Sequence, residues 1–492
     1  MDIIVHQKDA VNLIIECEKS IAKELNQYFT FYVPNYQYTP AYKKKVWDGQ
    51  IRLFNLYGRT IYVGLLDYIK QFAADRKYTF DIDSDNLLAL DDEQITLEEF
   101  SEFVSSLKLK LKPHPHQLSA TFKSLNKKRI LLLSPTGSGK SLIIYLLMRY
   151  YFNKISEEEK ILIVVPTIGL VNQMINDFKD YTQDKWNVDT NVHAIFSGQE
   201  KKTNKKIVVS TWQSLYNMPN EYFEEFSVVF GDECHLFKSK SLVSLMTKIK
   251  NAHYRIGTTG TLDGTKTHKL VIEGLFGKVF NVTSTKKLID KELLSDLKIE
   301  CITLKYDDDI CNENKRTSYQ DEIKYLITNE KRNNFIVNLA TKTKGNTLIL
   351  FNYVELHGKV LNESLLALDN DKNIFFIHGG TEASQREHIR KIVNKEKNAI
   401  LVASYGTCST GLNIPNIDNV IFASPSKSVI RVLQSIGRGL RKSKNQKVTK
   451  IYDISDDMKY KSYINHTLRH LDDRLKIYNN EGFHFSNTRI VL

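Results

Sequence analysis

Short runs of Ile, Leu and Val recur along this chain, each bounded by turn residues and followed by a longer stretch with apolar positions at helical spacing. Uninterrupted apolar runs mark strands buried on both faces, and their alternation with helical patterns is the signature of parallel sheets covered by helices. A first set comprises Ile130 to Leu133, Ile161 to Val165, Ile207 to Val209, Val228 to Phe230 and Tyr254 to Gly257. A second comprises Thr347 to Phe351, Ile374 to Ile377, Ala399 to Ala403, Val420 to Ala423 and Val448 to Ile454. The pattern predicts an α/β protein with two tandem parallel-sheet domains, over residues 106–295 and 296–455. Beyond them, Leu468, Leu471, Leu475 and Tyr478 predict a short helical carboxyl-terminal segment over 456–492. Residues 1–80 are rich in Tyr and Phe and read as a small amino-terminal α/β module. From Asp81 to Glu102 there are nine acidic residues and no Lys or Arg, which marks a junction over 81–105.

Composition sets bounds on this picture. With 492 residues, 42% hydrophobic and 26% charged, the chain is an ordinary globular one, and at about 150 residues per domain it holds roughly three folding units. The 69 Lys and Arg against 57 Asp and Glu give a formal net charge of +12, which favours polyanionic partners because neutralised phosphates release counterions. No apolar run approaches the ~18 residues of a membrane span, and the first residues lack a secretory pattern. Five scattered cysteines form no Cys-x-x-Cys pair, so neither a disulfide framework nor a zinc site is indicated, and a reducing, cytoplasmic home is expected. In the module, Lys43, Lys44 and Lys45 are interleaved with Tyr38, Tyr42 and Trp47. A basic rim beside aromatic rings can hold nucleic acid, which makes these lysines and Trp47 candidate contacts, although most aromatics of a small module are core material. Because each sheet domain is expected to carry its own core, the module is expected to be removable without loss of solubility.

The first predicted strand runs into Ser134-Pro135-Thr136-Gly137-Ser138-Gly139-Lys140-Ser141 and then a helical pattern. Glycines let backbone wrap close to phosphates and a helix start presents free amides; Lys140 then supplies a cation to the β and γ phosphates and Ser141 reaches Mg2+. The candidate ATP-binding residues are thus Thr136, Gly137, Ser138, Gly139, Lys140 and Ser141, with Ser134 standing where the strict P-loop pattern has Gly. The strand at Val228 to Phe230 leads to Gly231-Asp232-Glu233-Cys234-His235. Asp232 at a neighbouring strand end can hold the magnesium, and Glu233 can orient or deprotonate the attacking water. Cys234 and His235 could suggest a metal centre instead, but contiguous residues at a strand end cannot close a tetrahedral cage without distant partners.

An Asp-Glu-Cys-His box after a Gly-Ser-Gly-Lys-Ser loop resembles the superfamily 2 helicases, and further motifs follow in that family's order over residues 108–455. The resemblance implies that Gln117, in Pro113 to Gln117, reads adenine. It implies that Val165-Pro166-Thr167 with Gln173, then Ser210-Thr211-Trp212-Gln213, contact DNA, and that Gly257 to Thr261 couples hydrolysis to domain movement. In the second domain it implies nucleic-acid contacts at His378, Gly379 and Thr410, nucleotide contacts at Gly411 and Asn413, and catalytic roles for Gln434, Arg438 and Arg441. Arg438 and Arg441, at i and i+3, share one helix face and can fork onto a γ phosphate as arginine fingers do. The flanking sequences, Tyr42 to Arg52 and Gly64-Leu65-Leu66, narrow the resemblance to the recombination helicases of T-even phages. That implies two RecA-like motor domains, ATP and Mg2+ as cofactors, and a monomer in the host cytoplasm. It also implies 3′ to 5′ movement on branched or duplex DNA and on RNA:DNA hybrids. An RNA helicase of the same superfamily and an annealing or scaffolding protein with a vestigial motor are the alternatives. Intact Lys140, Asp232, Glu233, Arg438 and Arg441 argue against the latter.

Overall fold

The computed structural model describes residues 1–83, 94–184, 186–196, 198–237, 239–262, 265–294, 296–368, 371–409, 416–425 and 448–492. They fall into two units, the first holding residues 1–134 and 138–282 and the second residues 135–137 and 283–492.

The first unit opens with the module. Its strands β1 (Ile3–Gln7), β2 (Asn12–Cys17), β5 (Thr60–Tyr62) and β6 (Phe80–Ile82) form a mixed sheet in the order β5-β2-β1-β6, beside a hairpin of β3 (Thr30–Tyr32) and β4 (Gln50–Arg52). Alternation puts Ile3, Val5, Leu13 and Ile15 inward, where Ala22 and Leu25 of helix Lys19–Tyr28 and Ile69 and Phe72 of helix Leu66–Arg76 cover them. Helix Leu97–Ser106 takes up the last part of the acidic stretch, closed at its start by a reciprocal Thr96/Glu99 capping box.

The first motor sheet comprises β7 (Arg129–Leu133), β8 (Lys160–Val165), β9 (Val192–Ile195), β10 (Ile207–Thr211), β11 (Phe226–Gly231), β12 (Tyr254–Thr259) and β13 (Val279–Asn281), in the order β13-β7-β12-β11-β8-β10-β9. Every pairing is parallel. The five central strands are those the apolar runs predict. The two edge strands escape the pattern because they are short, only four and three residues, and each includes a polar residue.

The expectation of a removable module is corrected here. Helix Lys266–Phe276 of the motor domain sends Leu270 and Val271 into the module's own core. Gly64 lies so close to the Glu273 carbonyl that a Cβ would collide with it, and the Tyr68 hydroxyl donates to Glu273 Oε2 at 2.7 Å. At the same end of the module sheet, the Ala10 amide donates to the Lys250 carbonyl at 2.9 Å, and Arg129 donates to the Ala10 carbonyl. Module and motor domain therefore share apolar surface that water would reach if either were cut away.

The second unit is built on β14 (Asp296–Lys305), β15 (Thr347–Phe351), β16 (Asn373–Ile377), β17 (Ala399–Ser404), β18 (Asn419–Phe422), β19 (Val448–Asp457) and β20 (Phe485–Val491), in the order β16-β17-β15-β18-β19-β14-β20, again with parallel pairings. The carboxyl-terminal segment holds the expected helix, His466–Glu481, and then β20, which pairs with β14 from Ile299↔Phe485 to Lys305↔Val491. That segment thus completes the sheet. Among the described residues no helix is long and apolar enough to cross a membrane.

Candidate active site

In a parallel sheet all carboxyl ends share one edge, which is where α/β proteins place their ligands. In the first motor sheet that edge gathers the loop after β7, the acids after β11, the threonines at the end of β12, and Pro166 and Trp212 after β8 and β10.

The loop after β7 turns on Gly137 and Gly139, at φ +85° and +82°, and delivers Lys140 as the first residue of a helix ending at Lys154. Ser134, the departure from the P-loop pattern, is buried; its Oγ lies 2.6 Å from Ser138 Oγ and its amide donates to the Thr259 carbonyl at 2.8 Å. The serine is a brace inside the loop. Gln117 is 5% exposed, and its amide group spans two partners, accepting from the His114 amide at 2.8 Å and donating to the Ser138 carbonyl at 2.9 Å. A side chain at 139 would strike Gln117 Nε2, so the glycine is required by closeness as well as by φ. His116 Nε2 sits 2.9 Å from the same Ser138 carbonyl.

The strand pair β11 and β12 sets the acids. Gly231 pairs with Gly257, so Asp232 falls beside Thr258, whose hydroxyl donates to Asp232 Oδ1 at 2.7 Å. Asp232 is 7% exposed; burial first, and Glu233 beside it second, raise its carboxyl above the usual range, with Lys140 opposing. Glu233 adopts φ +52° and turns its carboxylate toward Lys140, with Nζ to Oε1 at 4.0 Å. Its other oxygen is 3.3 Å from His235 Nδ1, which lies 3.2 Å from Thr259 Oγ1. Thr259 gives its own proton to the Thr261 carbonyl at 2.9 Å, so its oxygen accepts and Nδ1 carries the imidazole proton. Hydrogen bonds thus link His235 through Thr259 to Thr261, joining the residue beside the acids to the segment after β12. Sequence reading named both motifs without this link; the signal was a pair of threonines one strand away from the acids.

Cys234 takes no part. It packs in the core beneath Phe276, with its thiol donating to the Gly231 carbonyl at 3.2 Å, and burial pushes its pKa well up. Among the described residues no cluster of His, Cys, Asp and Glu could hold a metal on its own. A buried acid whose ionised form is disfavoured, with a hydroxyl-bearing Ser141 across the loop, does fit a cation that arrives with phosphates.

The remaining candidates divide by environment. Gln213 Nε2 donates to the Pro166 carbonyl at 3.4 Å, joining the loops after β8 and β10. Thr167 caps helix Ile168–Tyr181, on whose first turns Gln173 is half-buried. Thr211 is buried with its hydroxyl 2.9 Å from Ser214 Oγ, whereas Trp212 is half-buried against Tyr216. In the second unit Gly379 is exposed with open space around it, and His378 Nδ1 accepts from the Gly380 amide at 3.1 Å. In the module Lys43, Lys44 and Lys45 are exposed, and Trp47 is half-buried, donating from Nε1 to the Gln50 carbonyl at 2.8 Å. Thr410, Gly411, Asn413, Gln434, Arg438 and Arg441 lie outside the described residues.

Three family models tile the chain: the N-terminal domain of the DNA helicase UvsW at residues 2–83, the res subunit of type III restriction enzymes at 101–264, and the helicase conserved C-terminal domain at 330–443. The ATP-dependent DNA helicase uvsW of Enterobacteria phage T4 is 34% identical over 504 residues, covering 99% of each chain. The chain belongs to the UvsW family of superfamily 2 helicases. The crystal structure of T4 UvsW is 32% identical to it, with a TM-score of 0.52 and 100% of each chain covered. A DNA 3'-5' translocase of Sulfurisphaera tokodaii is 25% identical over 379 residues, covering 68% of this chain and 80% of that one.

As a UvsW-family protein the chain is an ATP-driven helicase, and its two parallel-sheet domains are RecA-like motor domains. The geometry after β7 and β11 gives that activity a physical form. A lysine and helix-start amides can receive phosphates there, and a carboxylate 4.0 Å from that lysine can act on an attacking water.

Proposed function

We propose that this helicase works on branched DNA, regressing forks, migrating Holliday junctions and unwinding D-loops and R-loops, with RNA:DNA hybrids as further substrates. The observation that carries the reading is the fusion of the module to motor domain 1 through Leu270, Val271, Gly64 and Tyr68. A module locked to a motor domain can hold one arm of a junction while the motor pulls another, and this one carries three exposed lysines beside exposed Tyr32, Tyr38 and Tyr42. The names of the T4 relative and of the archaeal translocase support DNA as the track.

In this reading Lys140 holds the β and γ phosphates, and Glu233 takes the proton of the attacking water, oriented by His235. Ser141 and Asp232 would hold Mg2+, which when bound neutralises phosphate charge. Gln117 serves the adenine, Arg438 and Arg441 complete the site with Gln434, and Pro166, Thr167, Gln173, Trp212, Gln213, His378 and Gly379 line the DNA track. The protein acts as a monomer in the cytoplasm of the phage's bacterial host. Measuring ATPase stimulation by a forked duplex, a Holliday junction, single-stranded DNA and structured RNA tests this. Forks and junctions should stimulate most; preferential stimulation by structured RNA would transfer the chain to the RNA helicase reading.

A further inference from the structure

Three segments of the second unit meet beyond the carboxyl end of β19, outside every helicase motif. One is the turn 314–318, with Arg316 at φ +62°. The second follows β19, where Tyr460 and Tyr463 exchange backbone hydrogen bonds of 3.1 and 2.9 Å and leave Lys461, at φ +51°, and Ser462 at the tip of a tight hairpin. The third is the start of helix His466–Glu481.

The segments interlock. Lys315 Nζ and Lys461 Nζ sit 5.4 and 5.5 Å from the centroid of the Tyr460 ring. Tyr319 packs against His466 and His470 with centroids 6.0 and 5.3 Å apart. Beneath them, the buried Glu322 carboxylate accepts from the amides of His466 and Thr467, both at 2.8 Å, from the Thr467 hydroxyl at 2.7 Å and from Asn465 Nδ2 at 3.0 Å. Asn465 Oδ1 in turn accepts from the Met458 amide at 3.1 Å. The surface is held rigid by a charge-assisted network beneath it.

Five cations stand on this frame: Lys315, Arg316, Lys459, Lys461 and Arg469 are all exposed, and among the described residues none of them forms an ion pair. Three of the nearby acids are otherwise engaged, Glu322 inside the network, Asp457 with Arg489 at 2.7 Å, and Asp321 with the Ser318 hydroxyl at 2.6 Å, while Glu313 and Asp472 are exposed. The aromatic rings are engaged too. Tyr460 carries two lysines, and Tyr319 carries two histidines. A surface that stacked on unpaired bases would present open ring faces; this one presents fixed charge, which suits the regular phosphate backbone of a duplex and reads no sequence.

We propose that this patch is a phosphate-binding site for a duplex arm of the DNA substrate, carried by motor domain 2 and separate from the motif residues that follow the tracking strand. The inference rests on the DNA reading above. Its test is the full-length variant Lys315→Gln, Arg316→Gln, Lys461→Gln, Arg469→Gln, titrated with a blunt duplex and with oligo(dT) across a salt series. Each lost contact to B-DNA should lower the slope of log affinity against log salt by about 0.9, so the duplex slope should fall by about 2 to 4 and duplex affinity by about tenfold or more. Binding of oligo(dT) and the ATPase it stimulates should stay near the parent values. An unchanged duplex slope in a variant that melts like the parent overturns the proposal, and so does equal weakening on duplex and oligo(dT). Should the fourfold variant melt early, Lys461→Glu at the hairpin tip reads the same slope with one exposed side chain changed. A parent protein whose ATPase ignores DNA altogether would instead refute the DNA reading, which separates the two failures.

Discussion

In both motor domains a strand ends in buried carboxylates, and the two sets are treated in opposite ways. At the end of β19 each acid has its own arginine: Asp453 meets Arg474 Nε at 2.8 Å, Asp456 meets Arg332 Nε at 2.8 Å, and Asp457 meets Arg489 Nη2 at 2.7 Å. Tyrosine hydroxyls complete the first two, from Tyr478 and Tyr306, both at 2.9 Å. At the end of β11, Asp232 receives a neutral hydroxyl from Thr258, and the cation beside the pair, Lys140, stands 4.0 Å from Glu233. Burial without a close cation raises the pKa of an acid. The fold accepts that strain in the first domain, where a nucleotide and its cation could relieve it, and removes it in the second with arginines of its own. Two groups of similar residues at similar strand ends are thus told apart by what neutralises them.

The largest loss is expected at Lys140. Lys140→Ala should abolish ATP hydrolysis and leave DNA binding largely intact, because in the proposed function the lysine meets nucleotide phosphates and not DNA. Turnover near the parent rate would mean that the β7 loop is not the phosphate site. Glu233→Gln should bind ATP and hydrolyse it slowly, by the roughly 10²- to 10⁴-fold that a general base contributes. Thermal melting of Glu233→Gln should match or exceed the parent's, since one of two adjacent carboxylates loses its charge. A stability loss in that variant would place Glu233 with the structural acids.

The opposite signature is expected at β19. Arg332→Leu leaves Asp456 buried and uncompensated, which costs about 3–5 kcal/mol, while ATP turnover per folded molecule stays normal. Changing both partners to Leu should restore much of that loss, because a buried pair contributes little over apolar residues of similar volume. If Arg332→Leu unfolded at the parent's denaturant midpoint, the pairing would be incidental. Urea titration with a turnover assay on the folded fraction decides between these outcomes.

How far this contrast could be read from sequence follows from what each element shows to a one-dimensional pattern. The central strands announce themselves because both faces are apolar. In β14, Asp296, Lys298 and Lys305 are exposed among buried neighbours, and β20 is mostly exposed. Neither forms an apolar run; β14 is fixed by pairing with β19, and β20 by pairing with β14. The P-loop and the acid box were legible because spacing alone encodes them. The Thr258 to Asp232 bond was not, since it depends on β11 and β12 being neighbours with Gly231 opposite Gly257. The module's dependence on Leu270 and Val271 was hidden for the same reason, because those residues sit in a helix about two hundred positions further on.

The finest test uses acid. His357, buried in the second domain with Nδ1 2.8 Å from Ser424 Oγ, is pushed down to about 3 by burial foremost and by the Arg332 charge second. An unfolded histidine titrates near 6.5. As pH falls below that value the unfolded chain takes up a proton that the folded one refuses until about 3. Stability from this group is therefore complete above pH 6.5 and declines on acidification, by up to about 1.4 kcal/mol per pH unit. Asp232 has the other sign: its raised folded pKa makes the native state bind a proton before the unfolded one does, so acidification through that window stabilises the first domain. Unfolding free energies measured from pH 7 to pH 5 in the parent and in His357→Asn separate the two. The variant should be less stable overall, because a well-packed ring is lost, yet its stability should fall less steeply with acid. Parallel pH profiles for variant and parent would show that His357 does not titrate differently in the two states.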